Sequence, residues 1–414
     1  MNPGTRTGRT ARTTRSRGAS WIVCRAAAAL LLPQAALPHA PITTTVQFDR
    51  EIVHILDNHC VMCHFETGPA FPLLTYEQTY SARWKIRQDA LDRHMAPWAA
   101  VPGYGEFANS NGLTQREIDF LVSWAESFGP RNNGEVYTAV ADAPAAPKVI
   151  QAHFDPDRWA LGPPDLRLAL AADTVAPRPV VGPPLASAPH ADAAAETRRA
   201  TVDLKLRSDR WLKALEYKPR DRRAVHAVQF TIEETGQWLG TWTPWKGFTS
   251  LPEGLAYRLP AGSHLVADTL YYGPRRDHGG DGTLGLYFAD QPSSHAVSNL
   301  ILSAKAVGPG SPGKLLASTT LDADTTVLAV QPEVHPGLQS VEVFTRTPEG
   351  SRQVLLFAKA IPAAWPTPYI YSTPVALHKG AQLTVVEHYD AAAPDYSSPQ
   401  QIRFMATSAG AHGS

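Results

Sequence analysis

One stretch of five residues constrains this chain of 414 residues more than any other: Cys60-Val61-Met62-Cys63-His64. Two cysteines three residues apart, with a histidine directly after the second, form the attachment signal for c-type haem. The spacing places both thiols on one side of a helical turn, where each can add to a haem vinyl group. His64 follows at the position of an iron ligand. The motif therefore predicts one haem c, covalently bound by Cys60 and Cys63 and ligated by His64.

Short cysteine pairs also occur in zinc sites and in dithiol redox centres. A structural zinc site needs four ligands, and the sequence has no second cysteine pair, because its one other cysteine is Cys24. A thioredoxin-like centre needs a βαβ context, which the surrounding residues do not provide. Haem is therefore favoured over both alternatives.

The first forty residues are basic and then apolar. Six arginines and no acidic residue precede residue 41, and they lead into an apolar segment at 26–32 that small residues follow. This order is typical of a secretory signal peptide, predicted over 1–40, with a disordered basic tail as the alternative. Haem c is attached on the outer side of the bacterial membrane. Export to the periplasm or beyond the cell therefore agrees with the motif.

Charge and hydropathy limit the partners. The whole chain has 38 basic and 38 acidic residues, so without the six early arginines 32 basic residues face 38 acidic ones, a net charge of about −6. Such a charge argues against nucleic acid as a partner. No run of 18 or more apolar residues follows the signal, so we expect no membrane span after its removal. A redox protein or a small electron donor is the expected partner.

Residues 44–134 predict a small all-α cytochrome c domain. Apolar residues recur at helical spacing ahead of the motif: Phe48, Ile52, Ile55 and Leu56. Two further helices begin at capping boxes, formed by Thr75 with Gln78 and by Thr114 with Glu117. Their predicted apolar faces are Tyr76, Tyr80, Trp84 and Leu91 for the first and Ile118, Leu121, Val122 and Ala125 for the second.

Met95 is the predicted sixth ligand of the iron. It lies 31 residues after His64, beside a proline that ends the preceding helix. A thioether ligand favours ferrous iron and raises the reduction potential. A core methionine is the alternative interpretation, and His94 and His59 are weaker candidates that we expect at the surface.

Several segments of this region are similar to a known domain: Phe48, the Cys60-Val61-Met62-Cys63-His64 motif, residues 73–76, Arg93-His94-Met95-Ala96-Pro97-Trp98 and Tyr104-Gly105. Together they resemble a bacterial cytochrome c domain that often precedes a copper type II, ascorbate-dependent monooxygenase-like module. The family has Met-Pro-Pro-Trp where this chain has Met95-Ala96-Pro97-Trp98. The resemblance implies that Met95 is the distal ligand.

Strand patterns replace helical ones after a linker predicted over 135–150. Alternating runs at 202–206, 341–344 and 383–386, separated by Pro/Gly turns, predict two all-β, jelly-roll-like sandwiches.

Their predicted limits are 151–307 and 308–414, with the Gly/Pro-rich run 308–313 at the seam. Residues 186–200 are predicted to be a disordered excursion between strands.

The β region resembles the two sandwiches of the peptidylglycine hydroxylating monooxygenase family. The matching runs are 211–230, 251–254, 259–262 and 284–288 for the first sandwich, and 326–340 and 387–390 for the second. In that family each sandwich carries one copper, and the pair oxidises a C–H bond with electrons from ascorbate. The resemblance implies a β module of this type behind the haem domain.

The family's first copper site matches this chain poorly. Adjacent histidines are expected where the sequence reads His226-Ala227, and a third histidine is expected at Tyr271-Tyr272.

The second site expects His-x-His and a methionine. Here the sequence reads Glu333-Val334-His335, and Met405 is a doubtful substitute for the methionine. One imidazole per site gives weak and unselective copper binding, so copper is doubtful. Glu333, His335 and His388 form an alternative ligand set for a harder metal.

These observations favour an exported electron-transfer cytochrome whose monooxygenase-like β module has lost its coppers. The alternative is a haem-fed, metal-dependent monooxygenase with an altered site. A third hypothesis is a sandwich that binds a peptide or a glycan, because such sandwiches have many functions.

Overall fold

The computed structural model describes residues 44–66, 68, 70–132, 158–170, 196–271, 282–293, 295–308, 310–335, 337–362, 366–390 and 400–408. The predicted signal peptide and the linker over 135–150 lie outside these residues.

The described chain begins with helices, as predicted. A π-helical turn, Phe48–Ile52, leads into α1 (Val53–His59), and α2 (Tyr76–Leu91) and α3 (Gln115–Glu126) follow. Both predicted capping boxes are confirmed: the side chains of Thr75 and Thr114 accept hydrogen bonds from the backbone N–H of the third residue of each helix. The four apolar residues predicted for the first helical segment are all buried.

The predicted apolar face of α2 is wrong at two positions. Tyr76 is fully buried against Phe48, but Trp84 is 52% exposed and Leu91 is 45% exposed. Residues seven apart in a helix lie on one face, so Trp84 and Leu91 share one side of α2. The helix as a whole is scarcely amphipathic, and the described protein leaves these two side chains uncovered.

The first group of strands forms two sheets around one core. Its members are β1 (Leu166–Leu170), β2 (Glu196–Asp203), β3 (Arg210–Pro219), β4 (Val225–Ile232), β5 (Trp238–Trp242), β6 (Phe248–Ser250), β7 (Leu255–Leu259), β8 (His264–Tyr271), β9 (Gly282–Phe288) and β10 (His295–Ala296). One sheet has the order β1-β9-β3-β7-β10, with β6 also on β3, and the other has the order β2-β8-β4-β5. Apolar residues of both sheets share the core between them.

The predicted disorder over 186–200 is wrong for its last five residues. Residues 196–200 belong to β2, which pairs antiparallel with β8 along its whole length. The hydrogen bonds come from a strand about 70 residues away, so local composition could not indicate them. Residues 186–195 lie outside the described part of the chain.

The second group forms one eight-stranded sheet that folds over at β11. Its members are β11 (Ser298–Ala306), β12 (Lys314–Thr320), β13 (Thr325–Pro332), β14 (Leu338–Arg346), β15 (Arg352–Lys359), β16 (Tyr369–Leu377), β17 (Gln382–Tyr389) and β18 (Gln400–Ser408). The order is β15-β14-β17-β12-β11-β18-β13-β16. β11 pairs with β18 over its first part and with β12 at its end, and a single core contains residues from both halves of the sheet.

The Gly/Pro-rich run 308–313 differs from its predicted role as a seam. The N–H of Val307 donates to the carbonyl of Lys314, so the run turns β11 into β12. Because β11 pairs with strands that come after this run, the boundary between the two strand groups lies before Ser298 and not at 307.

The segment between α2 and α3 joins the helices to the second sandwich. Its backbone pairs with β15 at Ala100 and with β16 at Phe107, and the ring of Trp98 lies 5.3 Å from that of Tyr369. Residues 44–414 form one compact unit. Among the described residues, no helix has the length and apolar character that crossing a membrane requires.

Candidate functional site

The cysteine-histidine motif lies on the turn that follows α1. The N–H groups of Cys63 and His64 both donate to the carbonyl of Cys60, at 3.0 and 2.9 Å, so the two cysteines belong to one helical turn. Nδ1 of His64 lies 2.7 Å from the carbonyl oxygen of Phe71. A carbonyl can only accept, so Nδ1 carries the proton and Nε2 keeps its lone pair. The imidazole is thus oriented with the nitrogen that a metal would bind left available.

The surroundings of His64 keep its imidazole neutral. Burial lowers the pKa of His64 below its ordinary value. This effect outweighs smaller ones that raise the pKa, such as the hydrogen bond to Phe71. The charges of Asp89 and Lys85 also act on the ring, which places His64 near the C-terminal half of α2. A neutral imidazole is the form that ligates iron.

Burial raises the pKa of Cys60 to about 12, and the neighbouring Cys63 and Glu117 add to the effect. The attacking thiol of a dithiol redox centre has a lowered pKa, because the thiolate is the nucleophile. This environment is the opposite of what that alternative needs. A buried environment of this kind suits a cysteine whose sulfur becomes a neutral thioether.

Met95 lies in the turn directly after α2. The N–H groups of His94 and Met95 both reach the carbonyl of Asp89, whose side-chain charge acts on His64. The Met95 side chain is 39% exposed, so the alternative interpretation as a core methionine is wrong.

The two weaker ligand candidates differ from each other. His94 is exposed, as predicted. The prediction of a surface position for His59 is wrong: its Nδ1 lies 3.1 Å from the carbonyl of Asn111, and its Nε2 lies 3.2 Å from the carboxylate of Glu117. Both ring nitrogens of His59 are therefore engaged, which leaves none for iron.

The first predicted copper position contains one imidazole. His226 is buried in β4, at an irregularity where Val225 pairs with Tyr271 of β8 and Ala227 pairs with Leu270. The pairing places His226 next in sequence to Val225, the partner of Tyr271. Ala227 has no donor atom, and Tyr272 lies outside the described residues.

The second predicted copper position contains a carboxylate–imidazole pair. Oε1 of Glu333 lies 3.4 Å from Nε2 of His335, and Oε2 accepts the N–H of Gln401 at 3.1 Å. Burial acts to raise the pKa of Glu333, but the hydrogen bonds to His335 and Gln401, together with the charges of His335 and Arg403, lower the pKa overall. Both oxygens and one imidazole nitrogen are thus already engaged with protein groups.

His388 does not join this pair. It is exposed on β17, whereas its neighbour Glu387 points to the other face and is fully buried. The alternative metal set of Glu333, His335 and His388 is therefore not assembled.

Sequence reasoning missed Glu387. Neither of its oxygens has a hydrogen-bond partner among the described residues, and burial, with a further effect of the Glu333 charge, raises its pKa to about 8. The signal was available, because extending the alternation of the predicted run 383–386 puts Val385, Glu387 and Tyr389 on one face.

Met405 cannot complete the second position. It is buried in the core of the first sandwich group, together with Leu328 and Ala329. On β18 it lies four residues beyond Gln401, the residue that contacts Glu333, which is about 13 Å along a strand. Copper of this type takes three N/S ligands, and neither position supplies three among the described residues. The described protein therefore does not fit the family's coppers.

One further group of possible ligands was not predicted. Side-chain atoms of Glu233, Glu234 and His264 lie within 4.8 Å of one another, and Nδ1 of His264 is 2.7 Å from the carboxylate of Glu234. These side chains lie at the surface, where such ion pairs are common without any metal.

Comparisons with known proteins leave the family open. No family model and no curated protein matches the chain. Solved structures with partial likeness include the major capsid protein P2 of bacteriophage PM2, at 8% identity and a TM-score of 0.25 over 60% of this chain and 99% of that one. Another is the secreted serine protease VesC of Vibrio cholerae, at 9% identity and a TM-score of 0.16 over 57% and 50% of the two chains. Likeness at these scores supports no conclusion about function.

Proposed function

We propose that this protein is an exported c-type cytochrome that transfers electrons, with one haem attached to Cys60 and Cys63 and ligated by His64 and Met95. The hydrogen bond from His64 Nδ1 to the carbonyl of Phe71 is the observation that carries the proposal. It fixes the imidazole's orientation and tautomer, as partners of metal-binding histidines do. When bound, haem c supplies one-electron redox chemistry.

The exposed apolar residues of α2 support the same proposal. Trp84 and Leu91 share one face of the helix, and Met95 follows in the turn behind it. Apolar side chains that are exposed together mark a surface that a partner or ligand covers. A haem held by His64 would gain protection from water if it lay on this side of α2.

For the β region we propose a monooxygenase-like pair of jelly-roll sandwiches that has lost its coppers and now serves docking or ligand binding. The proposal rests on the single imidazole at each position and on the engagement of Glu333 with His335. A copper monooxygenase would need two shaped sites, which the described residues do not supply. Periplasmic or secreted localisation follows from the proposed signal peptide and from the haem.

Haem staining after denaturing electrophoresis tests the function. The chain co-expressed with the haem-attachment machinery should retain haem peroxidase activity in the denatured band, and the double variant Cys60→Ala, Cys63→Ala should lose it. His64→Ala should alter the iron's absorption spectrum, whereas the matched variant of an exposed histidine, His54→Ala, should not. A wild-type band without haem would overturn the proposal.

A further inference from the structure

A turn of the first sandwich lies against the haem-attachment motif. Nη2 of Arg222, in the connection between β3 and β4, donates to the carbonyl of Met62 at 3.2 Å. The guanidinium carbon of Arg222 lies 5.5 Å from the ring centre of Phe65. One arginine of the β region thus contacts both the middle of the five-residue motif and the residue after it.

The charge of Arg222 is held close to the motif. The side chain is half-buried, and its electrostatic neighbours include Cys63, one of the two attachment cysteines. Burial lowers its pKa to about 10, which leaves the group positively charged at neutral pH. A charge that is partly removed from water is screened less by solvent and by salt than an exposed one.

The next residue provides a contrast. Arg223 donates from Nε and Nη2 to the two carboxylate oxygens of Asp221, at 2.7 and 2.8 Å. Its charge is therefore neutralised in a bidentate pair. Two adjacent arginines on one turn thus differ in their surroundings: one faces the motif and the other faces its own carboxylate.

We propose that Arg222 is a positioning residue that holds the haem-attachment turn against the first sandwich and raises the reduction potential of the haem. The proposal rests on the proposed function, since it requires a haem at Cys60 and Cys63. Oxidised haem carries one more positive charge than reduced haem. A fixed cation beside the attachment turn therefore disfavours the oxidised state, and charge around the site is one of the protein's means of setting the potential.

Potentiometric titration of the full-length holoprotein, followed by its visible spectrum, tests this role. Arg222→Gln removes the charge and keeps a donor for the Met62 carbonyl, and it should lower the midpoint potential. Arg222→Lys keeps the charge and should stay close to wild type. Arg223→Gln is the matched control, and it should leave the potential unchanged because the Arg223 guanidinium is held on Asp221 and not on the attachment turn.

Arg222→Met provides a second neutral variant, since its apolar stem can keep the packing over Phe65 if Arg222→Gln does not fold. Equal potentials in wild type and in a folded neutral variant would overturn the proposal. A potential lowered as much in Arg222→Lys as in the neutral variants would also overturn it, because the positive charge would then not raise the potential. Failure of the proposed function is distinct: wild-type protein without covalent haem would overturn both proposals before any variant is compared.

Discussion

The predicted haem-attachment turn and the second predicted copper position both combine a histidine with further candidate ligands, but their surroundings differ. At the turn, the carbonyl of Phe71 orients His64 and leaves Nε2 available. At the copper position, Nε2 of His335 lies against the carboxylate of Glu333, which also accepts a backbone N–H. One histidine has a ring nitrogen left available, and the other has its Nε2 engaged by a carboxylate of the protein.

The origin of each arrangement explains the difference. The motif is local: Cys60, Cys63 and His64 share one turn, so a short sequence fixes their geometry. The β positions depend on separate strands, because His226 lies on β4 and Tyr271 lies on β8, which pair with each other. An ordinary buried residue can occupy a position on such a strand while the sheet stays intact, as Ala227 does.

The largest expected effect concerns the buried acid in the β region. Burial raises the pKa of Glu387 to about 8, while an unfolded glutamate titrates near its ordinary value. Between these values the folded protein binds the extra proton, so this group's contribution to stability falls as the pH rises, by about 1.4 kcal/mol per pH unit. Glu387→Gln mimics the protonated acid and removes that loss. Relative to wild type, the variant should gain about 2 kcal/mol of unfolding free energy between pH 6 and pH 8.

Urea unfolding at several pH values measures this difference. Glu253→Gln, a change at an exposed glutamate, is the matched control and should follow wild type throughout. Parallel curves for Glu387→Gln and wild type would contradict the raised pKa of Glu387. Such a result would mean that Glu387 is ionised in the folded protein. The second copper position would then differ less from the haem-attachment turn.

A smaller effect is expected for Met95 at the haem turn. If its thioether ligates the iron, Met95→Ala should abolish the weak near-infrared band of sulfur-to-iron ligation in the oxidised protein. It should also lower the reduction potential by about 59 mV or more, a tenfold change in the redox equilibrium. Met62→Leu, within the motif, should preserve the band. An unchanged band in Met95→Ala would rule out Met95 and leave His94 or an open position.

The sequence predicted well those features whose cause is local. The capping boxes at Thr75 and Thr114, the strand runs at 341–344 and 383–386 and the helical start before a β region are all present in the structure. Local signals were sufficient because each depends on residues within one turn or one strand.

Features that depend on distant partners were not predictable in the same way. The strand at 196–200 forms because β8 pairs with it, and the boundary before Ser298 follows from the pairing of β11 with β18. Arg222 reaches Met62 across 160 positions of sequence, and no motif marks it. The engaged state of His59 likewise depends on Asn111 and Glu117, which α3 and the residues before it provide.

The central claim is that the helical region binds a redox metal and the β region does not. Metal content per chain tests it most directly: the mature protein is incubated with excess copper under ascorbate, dialysed and measured for iron and copper by mass spectrometry. The account predicts one iron per chain, retained through acid–acetone extraction, with less than one copper and no ascorbate-driven oxygen consumption. Two coppers per chain with ascorbate-dependent product formation, or a chain without iron, would contradict it.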